Sequence, residues 1–135
     1  MPVVRQKMIY RADLRGNPNV LYVFGDNEAR AGLGGQAAEM RNEPNAVGVR
    51  TKRTPGTGPG DYWSDDKFEK YAHFIEVDFA PVIDHLKRGG VVVIPLDGLG
   101  TGLSELSRRA PRVADFLDRY VQNITNWFGN ATASI

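Results

Sequence analysis

Apolar and polar positions repeat along this chain with two different periods, and the changes of period mark its elements. Residues 3–10, "VVRQKMIY", read as a weak strand, and "RADLRGNP" as a turn or single helical turn ending at Pro18. "VLYVF" (20–24) is short, apolar and rich in strand formers, and it is closed by Gly25 and Asp26, which predicts a strand. "QAAEMRNE" is a run of helix formers stopped by Pro44, and "AVGVRT" (46–51) reads as the next strand. "PGTGPGDYWSD" is too rich in proline and glycine for regular structure. From Asp65 the period becomes helical, with Phe68, Tyr71, Ile75, Phe79, Val82 and Leu86 three or four apart. Pro81 is expected to divide that helix, as a kink or as the start of a second one. Gly89 and Gly90 end it, and "VVVIPL" (91–96) reads as a fully buried strand. Val113, Phe116, Leu117, Tyr120, Val121, Ile124 and Phe128 then mark one face of a helix beginning near Pro111. Strands alternating with helices predict an α/β layered domain with a mainly parallel sheet.

That architecture directs attention to the loops. In open α/β sheets, ligands bind outside the carboxyl ends of the strands. Three loops fall there: "GDNEARAGLGG" after the second strand, "TKRTPGTGPG" after the third and "GLGTGLSEL" after the fourth. Gly98, Gly100 and Gly102 occupy alternate positions of the last, which suits a backbone shaped around a ligand, with a tight ligand-free turn as the alternative. Glycine loops present backbone N–H groups and, before a helix, a positive dipole end, and both favour phosphate. Neither loop is a P-loop, because the Gly-Lys-Ser/Thr ending is absent, and "AGLGGQAA" does not match the dinucleotide pattern G-x-G-x-x-G.

Composition narrows the classes. The 135 residues suit one domain with one substantial core, 41% hydrophobic and 24% charged. Seventeen basic against sixteen acidic side chains give no global basic field for nucleic acid. The absence of cysteine excludes disulfides, thiolate metal sites and cysteine nucleophiles. His73 and His85 lack ligand spacing, so neither a metal nor a cofactor is expected. No stretch approaches a membrane span and "MPVVRQKMIY" carries no signal-type apolar region, so the cytoplasm of a bacterium or of a phage-infected cell is the expected location.

The motifs, taken in order, resemble the macrodomains, and among them the branch that removes terminal ADP-ribose from modified carboxylates or nucleic acid. "ADLRGNP" is similar to that branch's Gly-Asp-Leu segment, and "ARAGLGGQAAEM" to its glycine loop and helix start. "TKR" (51–53) is similar to its Thr-Lys-Lys, and "IPLDGLGTGLSEL" to its Pro-x-Ile-Gly-Cys-Gly-Leu-Asp loop. The order agrees over roughly residues 8–121. The resemblance implies a three-layer, Rossmann-like single domain over residues 1–135 that binds ADP-ribose or a related nucleotide. It places Asp13 on the adenine amino group, and Gly32, Gly34 and Gly35 along the diphosphate and distal ribose. Gly98, Gly100, Thr101, Gly102 and Leu103 wrap the diphosphate, and Lys52 attacks the distal ribose. The chain departs from the pattern at the catalytic aspartate, where it has Ser104, with Glu105 next and Asp97 before the loop. "LYVFGDNEARAGLGGQAAEMRNEPNAVGV" also resembles small phage and bacterial proteins of no assigned function.

Each group also has a plain structural reading. Asp13 suits a helix cap as well as an adenine. Asp26 and Asn27 suit a ribose or an Asx turn. Lys52 suits a nucleophile only as a neutral amine, and otherwise a solvated strand end. Glu105 and Asp97 are candidate general acids or bases. Ser104 and Ser107 read as N-caps. Tyr62 and Trp63 suit stacking on a base or ribose, or docking on the core, and Trp127 suits core or interface. Three readings follow: a glycohydrolase acting on an ADP-ribosylated macromolecule, a non-catalytic module that captures or sequesters the nucleotide, and an interaction domain whose glycines only make turns.

Overall fold

A computed structural model of the chain describes residues 2–102 and 104–132. Five strands, β1 (Val3–Gln6), β2 (Leu21–Asn27), β3 (Ala46–Lys52), β4 (Val92–Pro95) and β5 (Asn130–Thr132), form one sheet in the order β3-β2-β4-β1-β5. Every pairing is parallel, so all the strands end on one edge. The helices are α1 (Arg11–Gly16), α2 (Ala37–Met40), α3 (Phe68–Lys87), α4 (Leu106–Arg109) and α5 (Pro111–Phe128).

A parallel sheet buries both faces, and alternation along the strands sends neighbouring side chains into separate cores. Val23, Val49, Val92 and Ile94 pack with Ile75, Phe79 and Val82 of α3 and Val113 and Leu117 of α5. Tyr22, Phe24 and Val93 point the other way, onto Leu14 of α1 and Ala37 and Met40 of α2. The helical stripes predicted from residues 68 and 111 are those buried faces. Each fully buried apolar side chain contributes about 1.5–3 kcal/mol relative to exposure.

Pro81 does not start a second helix: α3 runs unbroken from Phe68 to Lys87. The carbonyl that loses its partner belongs to Val77, and Val77 and Pro81 both lie on the exposed face, where water can replace the missing N–H. The stop at Gly89 is a Schellman motif. Gly89 adopts φ +83°, and the amides of Gly90 and Gly89 donate to the carbonyls of His85 and Leu86. Trp127 is neither core nor packed, with 83% of its surface exposed. The helix expected over "QAAEMRNE" shrinks to the single turn α2, and β5 adds a strand that the sequence pattern does not announce. No described helix is long and apolar enough to cross a membrane.

The connections set the site. From β2 the chain passes through α2 to β3 on one side, and from β4 it passes through α5 to β5 on the other. The two loops therefore leave neighbouring strands toward opposite faces and open a crevice between β2 and β4.

Candidate functional site: a cleft between two glycine loops

β2 continues past its apolar run, so Gly25, Asp26 and Asn27 belong to the strand and stand at its carboxyl end. Gly25 faces the loop that follows β4. A Cβ built on Gly25 would lie 3.4 Å from the Gly100 amide nitrogen. Gly98 and Gly100 take φ +91° and +74°, conformations that a side chain resists, and a Cβ on Gly100 would come within 3.1 Å of Leu106. The loop after β2 likewise uses Gly32 at φ +91° against Pro55 of the loop after β3.

The resulting cleft has two halves, of about 280 Å³ and about 230 Å³, which share Gly25, Gly34 and Ser104. Asp26, Asn27, Gly32, Arg41 and Lys52 line the first. Gly35, Gln36, Lys7 and Asp97 line the second, together with Gly98, Gly100, Thr101 and Gly102. Both glycine loops thus border one cavity. Among the described residues, the amides of Gly32–Gln36 and Leu99–Gly102 donate to no backbone acceptor. α2 is only one turn long, so it brings no sizeable helix dipole to the cleft.

Lys52 is not a solvated strand end; only 5% of it is exposed. Its Nζ donates to the Gly56 carbonyl at 2.6 Å and lies 4.4 Å from the centre of the Tyr62 ring. The partner loop is pinned by Asp61, whose carboxylate accepts from the Thr54 hydroxyl at 2.6 Å and from the Gly58 amide at 2.9 Å. Those two bonds, in that order, hold the Asp61 carboxyl below the ordinary aspartate range.

Asp26 is fixed by its own protein. Arg41 Nη2 donates to its Oδ1 at 2.5 Å, Arg30 Nη1 to its Oδ2 at 3.2 Å and the Asn27 amide to Oδ1 at 2.9 Å. Arg30 extends the network to Asp78 of α3 at 2.8 Å, and Arg50 grips the same carboxylate through Nε at 2.9 Å. Gly48 makes room for this cluster, since a Cβ there would fall 2.5 Å from Asp26 Oδ2. Asn27 closes its own loop by donating through Nδ2 to the Ala31 carbonyl at 2.8 Å. Both residues line the cleft, but their side-chain polar groups are engaged within the protein.

Three predicted site residues stand elsewhere. Asp13 lines neither half and takes its capping role, its Oδ2 accepting from the Tyr10 amide at 2.8 Å and from Gln6 Nε2 at 3.1 Å. Trp63 is not available for stacking on a ligand: it is 1% exposed, stacked on Tyr71 at 4.1 Å, with Nε1 donating to Glu28. Glu105 begins α4 at φ +48° and pairs with Arg108 and Arg109 outside both halves. Burial pushes its carboxyl up, but Arg108 and Arg109 outweigh that, assisted by the Tyr62 hydroxyl, and hold it below the usual glutamate range. Leu103 lies outside the described residues.

Ser104 is not the cap of α4, a position held by Glu105. Its hydroxyl instead meets Thr51 Oγ1 at 2.7 Å. Lys7 and Arg41 stand outside the motifs, and Gln36 and Thr51 stand inside them without a role that the motif assigns, because their places depend on which strands become neighbours. Among the described residues, no group of three or more His, Asp or Glu side chains is placed to hold a metal ion.

The chain belongs to a family of unknown function, DUF7831, whose sequence model matches residues 4–120. No curated protein and no solved structure matches it.

Proposed function

We propose that this chain binds ADP-ribose, or a closely related diphosphate nucleotide, in the cleft between the loops after β2 and β4. The observation that carries this reading is that two runs of backbone amides without backbone acceptors border one cavity at the crevice between β2 and β4. A diphosphate offers several acceptor oxygens in a row, which such amides can satisfy together. The two halves taken together reach the size of small-molecule sites, about 300–1,000 Å³. Lys52, held by the Gly56 carbonyl, adds a positive charge to the first half, and the exposed Lys7 borders the second. The motif order supports the finer reading of the fold as macrodomain-like, a parallel sheet between two helical layers. The protein then acts in the cytoplasm of a bacterium or phage-infected cell as a reader or sequestering module.

Hydrolysis of ADP-ribosyl modifications is the second reading, favoured by one observation: Lys52 lines the cleft. Two features weigh against it. Asp97 lines the other half, and Glu105 is held by two arginines. The experiment that separates the readings is incubation with an ADP-ribosylated protein. Release of free ADP-ribose that disappears in Lys52→Ala supports hydrolysis, whereas retained binding without release supports the module.

A further inference from the structure

The Thr51 hydroxyl stands where the two loops of the cleft meet. Thr51 is fully buried at the carboxyl end of β3, and a buried hydroxyl is kept only where it finds partners. Its Oγ1 lies 3.3 Å from the Asp26 carbonyl at the end of β2 and 2.7 Å from Ser104 Oγ in the loop after β4. A hydroxyl has one proton. With that proton on the Asp26 carbonyl, Ser104 donates to Thr51, and the remaining lone pairs of Ser104 are left for the cleft that it lines on both sides. The same side chain stands against Gly25 of β2 and Gly100 of the loop after β4. A Cβ on Gly100 would come 3.2 Å from Thr51 Cβ, and one on Gly25 would come 3.7 Å from Thr51 Oγ1.

We infer that Thr51 is the positioning residue of the cleft: through the relay Ser104–Thr51–Asp26 it sets the spacing between the two glycine loops. Its effect on a nucleotide rests on the binding role proposed above; its effect on loop spacing does not. The loop after β4 carries its own reporters, because the amides of Glu105 and Leu106 donate to the carbonyls of Gly102 and Gly100.

The test compares amide hydrogen exchange in the wild type, Thr51→Val, Thr51→Ser and Ser104→Ala. Thr51→Val keeps the volume and removes the hydroxyl, and Thr51→Ser keeps the hydroxyl. Loss of one buried hydrogen bond is expected to speed exchange at Glu105 and Leu106 by about fivefold in Thr51→Val and Ser104→Ala. Amides of β1 and α5 should keep wild-type rates, and Thr51→Ser should exchange like the wild type. Unchanged rates at Glu105 and Leu106 overturn the inference, as does an equal rise across the whole sheet. Should Thr51→Val fail to fold, Ser104→Ala decides from the other end of the relay. Titration with ADP-ribose is the second arm, with affinity falling in Thr51→Val and restored in Thr51→Ser. A wild type that binds no ADP-ribose removes the nucleotide reading, and the exchange rates still decide the role of Thr51.

Discussion

Lys52 Nζ donates to the carbonyl of Gly56, four residues further along its own chain, and sits against the face of Tyr62. A carbonyl acceptor and an aromatic face both suit an ammonium held in place. Lys52 is therefore expected to contribute a fixed charge to the cleft rather than a nucleophile. Lys52→Met, which keeps the stem, should weaken ADP-ribose binding about tenfold, the effect of a charge-assisted contact. Borohydride treatment of the wild type with ADP-ribose should trap no lysine adduct. An adduct that is absent from Lys52→Met would move the account to hydrolysis.

The loop that supplies Gly56 should respond to acid through Asp61. Its carboxyl is held below the ordinary value of 3.8, first by the Thr54 hydroxyl and then by the Gly58 amide. A depressed carboxylate contributes stability that is fully present above the unfolded value and is lost as pH falls through the folded one. The Gly58 amide resonance in an NMR titration is expected to move with a midpoint below 3.8, and in Asp61→Asn not to titrate there. A midpoint at or above 3.8 would show that the loop is not pinned in this way.

Asp78 joins α3 to the sheet through Arg30 and Arg50. Asp78 also accepts from the Arg50 amide, while Arg50 and Arg30 are partly exposed and Arg30 keeps Asp26, so losing this carboxylate is expected to cost about 1–3 kcal/mol. Asp78→Ala should lose about that much in urea denaturation. A loss within the roughly 0.5 kcal/mol typical of surface changes would mean that the network does not bind the helix to the sheet.

The layout of this fold was largely legible from periodicity, because the stripes on α3 and α5 and the runs of β2 and β4 bury the faces that their spacing selects. What escaped depended on tertiary neighbours. Pro81 is tolerated because its orphaned carbonyl lies on the exposed side, which no local pattern reveals. Asn130, Ala131 and Thr132 carry no apolar run and make β5 only because β1 offers them an edge. Within the site, Gly32, Gly98 and Gly100 were readable as glycines, since positive φ and close neighbours demand them, whereas Gly102 meets neither demand. The roles of Asp26 and Trp63 were not, since Arg41 lies fifteen residues from Asp26 and Glu28 thirty-five from Trp63. Thr51 gave no signal beyond standing beside Lys52.

Gly25 offers a cleaner probe of the cleft than Gly100. A side chain at Gly100 meets strain at φ +74° as well as Leu106, so its replacement should destabilise the fold. At Gly25 a methyl makes ordinary contacts and covers the Gly100 amide. Gly25→Ala should therefore melt near the wild-type temperature while losing nucleotide affinity. Equal binding by Gly25→Ala and wild type would place the ligand away from this amide.

The most direct measurement is a calorimetric titration of the wild-type protein and Gly25→Ala with ADP-ribose, using adenosine and ribose 5-phosphate as controls. Saturable binding of one ADP-ribose per chain is expected for the wild type, weaker for Gly25→Ala, and weaker still for both fragments, which lack the diphosphate. No heat and no thermal shift from millimolar ADP-ribose would contradict nucleotide recognition by this cleft.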